Sequence, residues 1–404
     1  MVVNIIVVVT AILLFGILAF WKRLSNSADF QATLTPLASI MGSGFLVSAP
    51  LLGGLVGSWA VVMMAILLLI AYLIGEAIRF NIKHFEPIEN KGTGKAQHVA
   101  FVSRLALILA YFVSVTYYLQ LLAAFALSSL GVNQDWLAPL ITSILLGTIG
   151  LVGARWGLDM LVAVEKYAVA LNLGVVGALL LSLVVYNLGL LGSGAWQLPD
   201  VDSTIDLSDV RVLMGLLIVV QGFETSRYLG DKYDADRRIR TCRMAQWVSG
   251  VIYVVFISLA TVLFDREMGS DVTAIIRIVT PVAIVLPIMI SVAAIGSQFS
   301  AAVADNAGAA GLLTDLAKHR MATKYAYYII LAVALFLAWA TDVNGIIAYA
   351  SRAFALYYAL QCRVAYLVAA ETADLPHRTW KRGMFAFAGL FALAVVIFGL
   401  PSGA

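Results

Sequence analysis

Apolar stretches of about 20 residues, each long enough to cross a bilayer, follow one another from the first residues to the last. Polar and charged residues gather between them. The pattern predicts an all-α polytopic membrane protein with about twelve transmembrane helices. The crossings fall at about 3–21, 31–52, 56–82, 101–130, 137–153, 158–187, 210–229, 246–264, 281–304, 325–341, 345–369 and 384–400. Residues 272–280 read as a short outer helix, and the Gly/Ala-rich stretch 305–316 as an inner segment. A transmembrane barrel would instead show short segments of alternating hydrophobicity.

The loops set the orientation, because cytoplasmic loops carry the excess of Lys and Arg. Basic residues cluster at Lys22–Arg23, around Lys83, Lys91 and Lys95, at Arg155, at Lys232 to Arg243, at Lys318 to Lys324 and at Arg378 to Arg382. The intervening loops hold few. Residues 189–209 carry Asp200, Asp202, Asp206 and Asp209 with no Lys or Arg, while Arg266 and Arg277 are exceptions to the rule. Both termini are expected outside an inner (cytoplasmic) membrane. The first apolar stretch is followed, not preceded, by its positive charge, so it reads as an uncleaved span and not a signal peptide.

Two crossings carry helix-breaking residues at mid-span: Ile40-Met41-Gly42-Ser43-Gly44-Phe45, with Pro36 upstream, and Gln221-Gly222-Phe223-Glu224 about 180 residues later. In lipid, non-helical backbone persists only where it is buried in protein or lines a cavity. With the first and last spans set aside, ten remain, five in 31–187 and five in 210–370. Segments 1–30, 188–209 and 371–404 flank them. Five is odd, so the halves are inverted relative to each other, and each opens on a span with a break. That arrangement points to a substrate near the midplane, between the breaks.

Composition narrows the class further. The chain is 62% hydrophobic and 12% charged, with mean hydropathy +0.95. Net charge +3 resides in loops and reports orientation, not nucleic-acid binding. Cys242 and Cys362 suggest neither a disulfide framework nor a metal site. The four histidines lie in or beside loops. No zinc spacing and no Gly-x-Ser-x-Gly elbow occurs, and Ser43 has no histidine at membrane depth, so an enzyme is not expected. Nothing resembles a channel filter. A sensor built on a transporter fold would need a signalling domain, for which neither end of the sequence leaves room.

The sequence resembles the amino acid–polyamine–organocation (APC) superfamily in Gly42-Ser43-Gly44-Phe45, in Gly222-Phe223-Glu224, and in Lys166 about a dozen residues past Gly153. The resemblance covers residues 31–370. It implies the five-plus-five inverted repeat of the leucine-transporter fold, and secondary-active transport of an amino acid or related small amine by alternating access. No cofactor is implied beyond a coupling proton, or else sodium. The family commonly has two helices after the core; this chain has one before it and one after.

On this reading the substrate site comprises Ile40, Gly42, Ser43, Gly44, Gln221, Gly222, Phe223 and Glu224, with Tyr111 and Tyr117. Free amides at 42–44 would hold a carboxylate, although small residues also serve close helix packing. Glu224, a carboxylate in an apolar span, would favour an ammonium, take a proton or tie the unwound segment to its neighbours; it could instead pair with Arg227. The resemblance sets Lys166 where sodium-coupled relatives hold an ion, implying proton coupling or a fixed charge; the alternative is a snorkelling lysine paired with Glu165. Ser297 and Ser300 share a helix face, where they would coordinate sodium with carbonyls near Ser39 and Gly42, or bond back to their own helix. Tyr111, Tyr117 and Tyr118 would contact substrate or simply pack. For Gln120, Asn172, Asp305, Arg352 and Arg363 the expectation is intramembrane pairing or solvation at the inner edge, and for Glu76 with Arg79 a structural pair.

Overall fold

The computed structural model describes residues 2–25, 27–132, 134, 136–201, 204–265, 268–317, 320–372 and 374–402; at 2, 24, 25, 43 and 159–165 it describes the backbone alone. Asp202, Arg266, Lys318 and His319, used above as loop markers, lie outside these residues, as do the side chains of Ser43 and Glu165.

Twelve principal helices follow the apolar pattern: α1 (Val2–Phe20), α2 (Ala28–Val56), α3 (Ala60–Phe80), α4 (Lys95–Ser129), α5 (Leu137–Trp156), α6 (Asp159–Ser193), α7 (Leu207–Gly215), α8 (Ala235–Ala260), α9 (Leu286–Leu316), α10 (Thr323–Ala340), α11 (Val343–Glu371) and α12 (Arg378–Phe398). No strand occurs among the described residues. Ten helical stretches there are long and apolar enough to cross a membrane. One of these, Ala28–Glu89, holds two crossings, α2 and α3, separated by a 3₁₀ turn at Gly57–Trp59. The broken crossing from Leu207 to Leu229 is not among the ten. Together they make the twelve crossings expected.

Short polar side chains start several helices by taking the amides that a first turn leaves unpaired. Phe30 N donates to Ser27 Oγ at 3.4 Å, Arg237 N to Asp234 Oδ1 at 2.9 Å, and Gly345 N to Asp342 Oδ1 at 2.9 Å. Asp206 and Asp209 cap each other's amides at the start of α7. Residues 305–316, expected as a separate inner segment, continue α9 without a break. Alanine is the best helix former, and Ala307, Ala309 and Ala310 carry the helix through.

The first expected break does not form. The backbone is helical from Ala28 to Val56, through Gly42, Ser43 and Gly44. Packing overrides propensity here. Phe45 is buried against the rings of Tyr253 (5.3 Å between centroids) and Phe256 (4.4 Å) on α8. Gly44 lets the broken crossing approach: a Cβ there would lie 2.6 Å from the Cα of Val219. In lipid an intact helical ladder outweighs the cost of two glycines, about 1 kcal/mol each.

The second break is present. After α7 come a 3₁₀ turn at Leu217–Val220, extended backbone at Gln221, Gly222 at φ +119°, and a 3₁₀ segment at Phe223–Leu229. Gly222 must be glycine for two reasons. Its φ lies in the region that L side chains avoid, and a Cβ would lie 2.6 Å from Ser39 and 2.7 Å from the Ile40 amide of α2.

Around this crossing, α2 packs along α8, α4 lies against α9 and α11, and α5 pairs with α10. The helices outside the ten-crossing core sit on its flanks: α1 on α6, where Gly174 admits the α1 backbone, and α12 on α11.

Gly44→Ala and Gly222→Ala should each destabilise the protein by about 1–3 kcal/mol, read as a fall in melting temperature in detergent. Gly42→Ala is the contrast, because a Cβ there meets nothing within 4 Å; its melting temperature should hold or rise slightly. Equal effects at the three positions would contradict this packing.

Candidate functional site

Five elements converge on a cavity of about 170 Å³. They are α2 with Thr35, Ala38 and Ser39; α4 with Tyr111; α6 with Val169, Asn172 and Leu173; the 3₁₀ segment with Thr225, Tyr228 and Leu229; and α9 with Ser297, Ser300, Ala301, Ala304 and Asp305. That is more than ten times the roughly 10–15 Å³ that a single water requires. The unwound sixth crossing makes one wall possible. Its 3₁₀ turns spread Thr225 and Tyr228 along the cavity instead of burying them in an α-helical face.

Among the described lining residues Asp305 brings the charged side chain. Ser114 of α4 donates to its carboxylate. The Ser300 hydroxyl oxygen is buried with no hydrogen-bond partner. Ser297 bonds back to the Ala294 carbonyl at 3.2 Å, the self-satisfied arrangement common for serines in membrane helices. Asn172 is buried and makes no hydrogen bond with the described residues. The described lining thus presents hydroxyls, an amide and the Asp305 carboxylate.

Of the residues singled out in the sequence, Tyr111, Ser297 and Ser300 line this cavity. Glu224 does not; it is 1% exposed, one layer away. Its Oε2 accepts from the Gly222 amide at 3.0 Å and from the Tyr358 hydroxyl at 2.7 Å. Gln221 donates to the Tyr118 hydroxyl at 3.2 Å, Phe223 stacks on Tyr358 at 5.1 Å, and Tyr117 packs against Tyr118. These residues form a closed polar knot that holds the break in place. The amides of 42–44 lie inside α2, so the free donors expected there for a carboxylate do not exist. The carbonyls of that stretch are engaged instead: Gln298 donates to Gly42 O at 2.8 Å, and the Tyr253 hydroxyl sits 3.1 Å from Ile40 O.

Arg227 does not pair with Glu224. It reaches Glu89 at 3.1 Å, Glu86 at 3.9 Å and the Gln361 side chain. Lys166 falls three residues before Val169 and seven before Leu173, so it lies on the cavity-facing stripe one turn away, without lining the cavity. It is half-buried, with its ammonium 5.9 Å from the Tyr167 ring. Glu76 and Arg79 form the expected pair at 2.9 Å; Gln120 donates its amide nitrogen to the Ala338 and Thr341 carbonyls, and Arg352 donates to the Gly399 carbonyl.

An ionic layer adjoins the cavity at Tyr228, which lines both. Arg238 grips Glu86 through two bonds of 3.0 and 2.7 Å and donates to the Arg227 carbonyl at 2.9 Å. At the start of α2, Asp29 meets Arg237 at 2.7 Å, tying α2 to α8. The Asp29 pair is exposed, so water and salt screen it and it adds little to stability. Stripping a partner from buried Arg227 would cost about 3–5 kcal/mol.

The sequence reading missed Asp305 and Asn172 as cavity residues. A signal was there for Asp305: Ser297, Ser300, Ala301, Ala304 and Asp305 recur at helical spacing, so the acid completes a stripe of small residues. Asn172 offered no comparable signal, since its exposure to the cavity depends on how α6 is rotated.

Known proteins agree with this architecture. A solved manganese transporter from Eremococcus coleocola, in complex with an aromatic bis-isothiourea substituted compound, superposes with a TM-score of 0.61 over 94% of this chain and 87% of its own. At 12% identity the likeness is one of fold, that of the leucine transporter. Among the described residues no three His, Cys, Asp or Glu side chains converge as metal ligands would. An uncharacterized protein of Aquifex aeolicus (strain VF5) is 40% identical over 375 residues, 91% of each chain. A family model described as an APC superfamily transporter matches residues 22–399. The chain belongs to the APC superfamily of transporters.

Proposed function

We propose that the protein is a secondary-active transporter of an amino acid or related small amine, working by alternating access around the cavity beside the broken sixth crossing. The observation that carries this reading is Asp305, a carboxylate set among hydroxyls and an amide on the wall of an intramembrane cavity. An intramembrane carboxylate is costly and marks a solute or ion pathway. Its charge favours an ammonium, while Asn172 and the hydroxyls of Ser39, Thr35 and Ser300 offer bonds to the rest of the solute. Glu224 takes the third role open to it from the sequence, tying the unwound segment in place. The ionic layer of Arg227, Arg238, Glu86 and Glu89 is the element that must part for the cavity to open on its side. The protein lies in the cytoplasmic membrane with both termini outside, as its basic loops imply.

Coupling is to a proton, or the cycle is an exchange, with Lys166 supplying the charge one turn from the cavity. A second reading, sodium symport, is favoured by one feature: the Ser300 hydroxyl oxygen is buried at the cavity without a partner.

Two results follow for purified protein in proteoliposomes. Asp305→Asn keeps the size of the side chain and its bond from Ser114, and should lower counterflow of a pool of amino acids and amines by about 10–100-fold, with the melting temperature little changed. Undiminished counterflow would remove Asp305 from the solute site. On a supported-membrane electrode, the same pool should give a current that follows the proton gradient and is lost in Lys166→Ala. A current that follows sodium and is lost in Ser300→Ala would establish the second reading.

A further inference from the structure

A second built site lies away from the cavity, on the lipid-facing seam between α11 and α12. A groove of about 450 Å³ runs along it, walled by Leu356 and Leu360 on α11 and by Leu390 and Leu393 on α12. Its floor is formed where Gly389 lets the helices close together; a Cβ there would lie 3.2 Å from the Cβ of Cys362. Leu390 and Leu393 stay exposed, so the groove opens to the surroundings of the protein and not to its core.

One end of the groove is basic. The guanidinium of Arg382 lies 4.7 Å from the centre of the Tyr366 ring and donates to the Tyr366 hydroxyl at 2.7 Å. The guanidinium of Arg363 lies 5.4 Å from the same ring. Neither forms an ion pair with a described carboxylate, and the Nε of Arg382 is buried without a hydrogen-bond partner. The neighbouring Arg378 differs, spending its donors on the Ala369 and Ala370 carbonyls that end α11. Basic residues that served only to orient the chain would not be stacked on one ring with a desolvated donor left over. From Arg382 to Leu393 the helix rises about 16 Å, close to the roughly 15 Å depth of one leaflet.

We propose that this seam binds an anionic diacyl glycerophospholipid, its phosphate at Arg363 and Arg382 and one acyl chain along Leu356, Leu360, Leu390 and Leu393. Charge complementarity selects the headgroup, as for other basic pockets between membrane helices at the cytoplasmic edge. The apolar groove continuous with it selects a lipid over a free phosphate. A second copy of the chain would have to bring a carboxylate into the membrane to match the same two cations, which is costly.

The test is native mass spectrometry of the full-length protein in detergent, titrated with phosphatidylglycerol and with phosphatidylcholine of identical acyl chains. One phosphatidylglycerol should bind with at least about tenfold preference. The preference should fall in Arg363→Gln, whose exposed side chain makes no hydrogen bond that the fold could miss, and vanish in Arg363→Gln/Arg382→Gln. Leu393→Trp, which fills the groove from its exposed wall, should weaken binding while leaving the headgroup preference of the remainder. Equal binding of the two lipids, or a preference unchanged in Arg363→Gln, overturns the proposal. So does full competition by inorganic phosphate, or a lipid-free dimer disrupted by the same substitutions.

Discussion

The sixth core crossing leaves the helix in mid-membrane, and the medium offers nothing to its freed backbone groups. Each unpaired N–H or C=O in hydrocarbon costs several kcal/mol. The protein meets the demand with side chains from α8, from α11 and from the broken segment itself. Ser351 of α11 donates to the Gly215 carbonyl at 2.6 Å and accepts from the Ile218 amide at 2.9 Å. Tyr253 of α8 serves the Val219 carbonyl while also reaching Ile40 of α2. Glu224 takes the Gly222 amide, Thr225 the Gly222 carbonyl at 2.7 Å, Cys242 the Phe223 carbonyl, and Arg238 the Arg227 carbonyl. The break is thus a cross-linked node joining α2, α8 and α11, and not a loose hinge.

The transport machinery follows from that node. Tyr358 holds Glu224 from α11, and the same 3₁₀ segment presents Thr225 and Tyr228 to the cavity that α9 charges with Asp305. Tyr228 also touches the ionic layer, and its hydroxyl lies 3.3 Å from that of Tyr357. A shift of α2 against the node would therefore be felt at the cavity wall and at the ionic layer together. This is the kind of discrete rearrangement that alternating access requires.

Much of the fold was legible in the sequence, because membrane helices write themselves as long apolar runs. The twelve crossings needed only that signal, and the break at Gly222 needed a glycine in mid-span at a place that matches the other half. The intact α2 was not legible. Gly42-Ser43-Gly44 reads as a breaker by propensity, yet Gly44 is there so that Val219 can approach, a fact held only in the partner segment. The carboxylates show the same limit. Glu224 stands in an apolar crossing, whereas Asp305 falls at the start of the stretch read as an inner segment, so the sequence singled out the one beside the break. Which of them faces a cavity depends on Tyr358 and Gly222 closing around Glu224, a three-dimensional matter. Arg227 likewise reads as a partner for Glu224 at i+3 until the loop bearing Glu86 and Glu89 is folded against it.

The broken crossing is held shut by side-chain bonds to its backbone. Amide hydrogen exchange resolved to residues 216–229, in wild type and in Ser351→Ala and Glu224→Ala, tests it most directly. Wild-type Ile218 and Gly222 amides should exchange far more slowly than those of the exposed turn at 231–233. Loss of Ser351 should release Ile218, and loss of Glu224 should release Gly222. Exchange of the wild-type segment at loop rates, or protection indifferent to both substitutions, would mean that these bonds do not hold the break.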